Sequence, residues 1–193
     1  MLAFSEIQSE VIGKLEKGLP PTLTYHNVPH TLDVLKHVIK ISEQEGVTEA
    51  ELLLLKVSAL YHDIGFLYTY LRHEEKSCEI ATAELSAFGF SLDQIKKVCG
   101  MIRATKVPQE PQTRLEEIIC DSDLDYLGRD DFFKIGEGLY KEFLAQHIVS
   151  NERDWNMLQV KFLESHHYFT NSSKRNREAA KQLNLEQVKQ KLL

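Results

Sequence analysis

Three short stretches concentrate residues able to bind a metal ion or move a proton. "YHNVPHTLDV", residues 25–34, sets His26 and His30 four positions apart around Pro29. "HDIG", residues 62–65, joins an imidazole to a carboxylate at the end of an apolar run. "CDSDLD", residues 120–125, crowds Asp121, Asp123 and Asp125 together. A charged carboxylate delivered by a buried helix is costly unless it is paired or metal-bound. Two neutral imidazoles with two negative oxygens suit a divalent ion such as Mn²⁺, Fe²⁺, Ni²⁺ or Zn²⁺. Four such ligands leave an octahedral ion open positions for water and for a substrate oxygen.

Each piece alone is ambiguous. His62-Asp63 taken by itself reads as a structural pair. At about 100° per residue, a helix starting near Val28 puts His30 on one face with Val34, Val38 and Ile41. His37 falls on nearly the same face, about 10 Å further along the axis, so angle does not choose between the two. His26 lies just before that helix, where capping its entrance is the structural alternative. Leu115, Ile118, Ile119 and Tyr126 define the apolar face of the third piece. Asp123 sits roughly 80° from its centre, Asp125 about as close, and Asp121 about 120° away on the other side. An acidic helix terminus accounts for any one of them.

The elements that must position these groups are helical, with no convincing run of alternating strand residues. The pattern predicts helices over 4–17, from Pro29 to Gln44, and from the capping box at Thr48–Glu51 to "HDIG", where Gly65 is the expected stop. The third of these, "LLLLKVSALY", is apolar nearly all round and should be central. Further helices are expected over 74–88, closed by Gly89, and from the Ser91 cap to Ala104. After the "KVPQEPQ" loop they continue over 113–120, 130–147, 153–167 and from Ser172 onward. Trp155, Leu158, Phe162 and His166 share one face, which reads as core packing. The expectation is a single all-α domain over 1–193.

Of 193 residues, 42% are apolar and 27% charged, which fits a globular chain. A net charge of −6 argues against general nucleic-acid or membrane-surface binding. No apolar stretch approaches a membrane span, and the first residues lack a basic leader region. Cys78, Cys99 and Cys120 form no CxxC pair, so reduced thiols in a cytoplasm are expected.

Taken in order, His30, His62-Asp63 and Asp123 resemble the H…HD…D arrangement of the HD-domain superfamily of metal-dependent phosphohydrolases. "YHNVPHTLDV" also resembles the YHNxxHxxDV segment of class I cyclic-nucleotide phosphodiesterases, and "HEEKSCEIA" and "CDSDLDYLG" resemble bacterial HD proteins. The resemblance runs from about Tyr25 to Gly128. It implies an HD-type helical bundle, with a core at about 25–128 and additional C-terminal helices at about 130–193 packed on it. It implies metal ligation by His30, His62, Asp63 and Asp123, with Asp63 or Asp123 orienting a metal-activated water. His26 becomes the candidate acid for a leaving alkoxide, or a group that supports the metal ligands from behind. The phosphodiesterase pattern HDxxH would need histidine at position 66, where Phe66 stands. His73 is the candidate to replace it, as a second-metal ligand or an acid–base group.

The activity implied is hydrolysis of a small phosphate ester, a nucleotide or cyclic nucleotide, by a divalent ion (Mn, Fe, Ni, Co, Zn or Mg). The alternative is a nucleotide-sensing or effector module that keeps the pocket and hydrolyses nothing. A phosphate substrate also needs cations. Arg103 and Lys106, with Thr105 between them, are candidate substrate-binding residues, and Lys174, Arg175 and Arg177 are further candidates with a solvated face as the simpler reading. A homo-oligomer is compatible with the sequence.

Overall fold

The computed structural model describes residues 2–193, and among the described residues it contains nine α-helices and no strand. They are α1 (Leu2–Gly18), α2 (Val28–Glu45), α3 (Glu49–Tyr61), α4 (His73–Leu85), α5 (Leu92–Ala104), α6 (Arg114–Asp123), α7 (Phe132–Ala145), α8 (Glu152–Ser165) and α9 (Asn171–Gln190). The all-α expectation is met, and its helices are found with shifted ends. Capping boxes start α3 at Thr48–Glu51 and α5 at Ser91–Gln94, and a further one at Thr113–Glu116 starts α6. Pro29 occupies the first turn of α2, whose cap is Asn27, accepting the His30 N–H at 3.2 Å.

The apolar stripes of α1, α2, α4, α5 and α6 close around α3, whose Leu55, Val57, Ala59, Leu60 and Tyr61 are fully buried. A second apolar cluster joins Tyr25, Leu124, Tyr126 and Leu127 to Phe132, Leu163, Leu185 and Val188 from the last three helices. The three cysteines are buried free thiols. No described helix is long and apolar enough to cross a membrane.

Gly65 serves a different purpose from the one expected. α3 already ends at Tyr61, and Gly65 sits in a 3-10 turn over Ile64–Leu67. Its lack of a side chain is required by proximity, because a Cβ there would lie 2.1 Å from the carbonyl oxygen of His73. Ser77 of α4 fastens the same joint. Its hydroxyl accepts the Gly65 N–H at 2.9 Å and donates to the His62 carbonyl at 2.8 Å.

Candidate metal centre

α2, α3 and α6 each deliver one end to the same point between the two apolar clusters. His30 arrives in the first turn of α2, His62 and Asp63 just after α3, and Asp123 as the last residue of α6. The His62 Nδ1 lies 2.9 Å from the Ala59 carbonyl, which fixes the proton on Nδ1 and turns Nε2 inward. That Nε2 lies 3.2 Å from the His30 Nε2, 3.1 Å from Asp63 Oδ2 and 3.6 Å from Asp123 Oδ1. The His30 Nε2 is 3.4 Å from Asp63 Oδ2 and 3.2 Å from Asp123 Oδ1.

These spacings fit a single small cation. Ligand atoms about 2.1 Å from one ion lie about 3.0 Å apart when adjacent in an octahedron and about 3.4 Å apart in a tetrahedron. His30, His62 and Asp123 each present one ligand atom within 4.8 Å of the others. Asp63 Oδ2 is buried and accepts no hydrogen bond of normal geometry, as a metal-ligating oxygen would not.

The electrostatics agree. Burial opposes charge on His30, but Asp123 and Asp63 outweigh it and raise its pKa to about 9. His62 is likewise raised, against burial, by Asp63 and Asp123. Burial opposes ionisation of Asp123 too, yet the two imidazoles bring it down to about 2, and the same partners with His73 hold Asp63 well below the usual carboxylate range. The negative field that holds protons on these imidazoles is one that attracts a dication.

The rivals of these residues have other partners. His37 pairs through Nε2 with Asp125 Oδ2 at 3.1 Å, two turns along α2 from His30. Asp121 accepts the backbone N–H groups of Phe169 and Thr170 and the Thr170 hydroxyl, at 2.9, 2.8 and 2.6 Å. Asp125 takes the guanidinium of Arg177 at 2.8 Å, so Arg177 is not a free cation.

His26 and His73 flank the centre. His73 Nε2 lies 3.4 Å from Asp63 Oδ1, on the side away from the other imidazoles. Phe66 lies beside both rings, stacking on His26 with centroids 4.5 Å apart and on His73 at 3.9 Å, while the two imidazoles are 6.1 Å from each other. The His26 Nδ1 hydrogen-bonds Glu142 Oε1. Glu142 is fully buried on α7 and also accepts the N–H groups of Tyr25 and His26, each at 3.0 Å, and the Tyr70 hydroxyl at 3.1 Å. Burial favours its protonated form, but His26 and these donors hold it below the ordinary range. Sequence reasoning missed Glu142. Its signal is that it continues the stripe of Phe132, Ile135 and Leu139 at helical spacing, a carboxylate where an apolar residue belongs.

The expected substrate-binding residues stand apart. None of Arg103, Thr105 and Lys106 hydrogen-bonds or pairs with the four central residues, among the described residues. The Thr105 hydroxyl donates to the Ile102 carbonyl at 2.8 Å, and Lys106 approaches Glu75, in the first turn of α4, at 3.8 Å. His166 is remote from the centre as well. It caps α8, its Nδ1 lies 3.5 Å from the Lys181 Nζ, and its buried Nε2 has no partner.

A family model of the HD domain matches residues 28–126, a span that contains His30, His62, Asp63 and Asp123. Among solved structures, the fold is similar to the crystal structure of a predicted HD superfamily hydrolase from an uncultured Thermotogales bacterium. That likeness has a TM-score of 0.64 at 21% sequence identity and covers 97% of this chain and 90% of the other. A search of curated proteins finds no match.

Proposed function

Because this chain belongs to the HD-domain family, we propose that it is a metal-dependent phosphohydrolase cleaving a phosphate ester, with a nucleotide or cyclic nucleotide as the substrate class. The observation that carries this reading is the convergence of two imidazole nitrogens, 3.2 Å apart, each within 3.1–3.6 Å of one oxygen of Asp63 and one of Asp123. Bound there, a divalent ion supplies Lewis acidity toward a phosphoryl oxygen and lowers the pKa of water.

The protein's own residues divide the remaining work. His30, His62, Asp63 and Asp123 would hold the ion. Asp63 turns its second oxygen toward His73, so that pair orients the attacking water. The His26 Nε2, with Nδ1 engaged by Glu142, faces no competing partner among the described residues and donates a proton to the leaving alkoxide. Phe66, which puts an apolar ring against His26 and His73 where a second ion would need an imidazole, favours one ion over two. The setting is a cytoplasmic enzyme acting on a small phosphorylated molecule.

The test is turnover of p-nitrophenyl phosphate, bis-p-nitrophenyl phosphate and a nucleotide panel with added Mn²⁺, Co²⁺, Ni²⁺ or Mg²⁺. Asp63→Ala should lose both bound metal and turnover. Full turnover by that variant, or none by the wild type with any of the ions, would sink the assignment.

A further inference from the structure

Asp123 is the last residue of α6, and the chain leaves helical geometry directly after it, at Leu124 (φ −105°, ψ 17°), whose N–H still bonds the Cys120 carbonyl. The carboxylate of Asp123 therefore sits at the junction between the helix and the turn that follows. Both sides of that junction are tied to the far end of the chain. On the near side, Asp121 is held by the backbone of Phe169 and Thr170. On the far side the Leu124 carbonyl accepts the Tyr168 hydroxyl at 3.3 Å, Asp125 accepts the Arg177 Nε at 2.8 Å, and the Leu127 carbonyl accepts the Asn184 Nδ2 at 2.9 Å. Gly128 lies so close to α9 that a Cβ there would come within 2.3 Å of the Arg177 carbonyl oxygen.

Of the three acidic residues in this stretch, Asp121 and Asp125 are bound to the C-terminal segment, and Asp123, between them, faces His30 and His62. All of these anchors lie beyond the span matched by the family model.

We propose that the segment from Tyr168 to Asn184 splints the Asp121–Gly128 turn and so sets how tightly Asp123 helps to hold a divalent ion, with Arg177 as the main positioning residue. This rests on the metal-binding reading above. Asp125 is 3% exposed, and its other oxygen accepts no hydrogen bond, though His37 lies 3.1 Å and Arg129 3.6 Å from it. Without Arg177 that carboxylate is buried with less compensation. The turn then relaxes to bring Asp125 nearer water, and Asp123, two residues earlier, moves with it.

The experiment is calorimetric titration of the full chain with Mn²⁺, alongside helicity and thermal melting. Arg177→Gln should weaken Mn²⁺ binding about tenfold, the lower end of what outer partners of metal ligands contribute, with helicity unchanged. Arg177→Lys should recover part of the loss. Tyr168→Phe, which removes one hydroxyl, should give a smaller weakening. Arg175→Gln, an exposed neighbour on α9, should bind as the wild type does. Lower melting temperatures with Mn²⁺ affinity unchanged in Arg177→Gln and Tyr168→Phe would overturn the proposal and make the anchors purely structural. If Arg177→Gln does not fold, Arg177→Lys and Tyr168→Phe decide in the same way. A wild type that binds no Mn²⁺ would overturn the metal reading with it, whereas normal wild-type binding with insensitive variants overturns the splint alone.

Discussion

The Nε2 atoms of His30 and His62 face one another at 3.2 Å, with a carboxylate oxygen of Asp63 and one of Asp123 close to each. Two nitrogens at that distance share either a proton or a metal ion, and the two carboxylates beside them favour a dication. Binding of a divalent ion to the folded chain should therefore stabilise it. Mn²⁺ at a hundred times its dissociation constant should add about 2.7 kcal/mol, read as a rise in melting temperature that a chelator reverses. Asp123→Ala should abolish the rise; a shift of wild-type size in that variant would place the ion elsewhere.

Glu142 gives a separate prediction because it touches His26 and none of the four central residues, among the described residues. Glu142→Gln keeps the shape and removes the charge that orients His26. Turnover should fall about a hundredfold, the scale of a positioned acid, while Mn²⁺ content stays at the wild-type level. Loss of metal together with activity would assign Glu142 to the fold.

Phe66, 5% exposed, packs against both flanking imidazoles. Phe66→Ala should cost about 3 kcal/mol in chemical denaturation, as buried aromatic truncations do. It should also lower kcat, since His26 and His73 lose the same wall. A variant with wild-type kcat would show that the stack serves packing only.

His166 predicts a pH dependence unconnected with the centre. Burial, with the Lys181 ammonium beside it, depresses its pKa from 6.5 to about 3. Unfolded chains take up this proton near pH 6.5 while the native state does not, so stability from this group is present above pH 6.5. It is lost as pH falls toward 3. Between pH 7 and pH 5 the wild type should lose about 1–2 kcal/mol that a His166→Gln variant does not lose. Parallel melting curves against pH for the two proteins would refute this.

The sequence made the helices and the order of the three motifs legible, because caps such as Thr48 and Ser91 and the apolar run of α3 act locally. Choosing among near-equivalent residues was beyond it. His30 and His37 differ little by angle, and what separates them is that His37 meets Asp125 from a distant element. Asp121, Asp123 and Asp125 are sorted by partners about fifty residues further along the chain, Thr170 and Arg177, which no periodicity reveals. The identity of Gly65 as a helix stop failed for a related reason, since its constraint comes from His73 across the joint.

That joint has a consequence for the "HDIG" motif itself. With 2.1 Å between a would-be Cβ and the His73 carbonyl, the turn after His62 and Asp63 and the helix that carries His73 meet with no clearance. The glycine acts as a gauge block: it sets the spacing between the part of the centre that holds the ion and the part that flanks it. Any side chain at position 65 would wedge those two parts apart together, however well each half kept its own internal geometry.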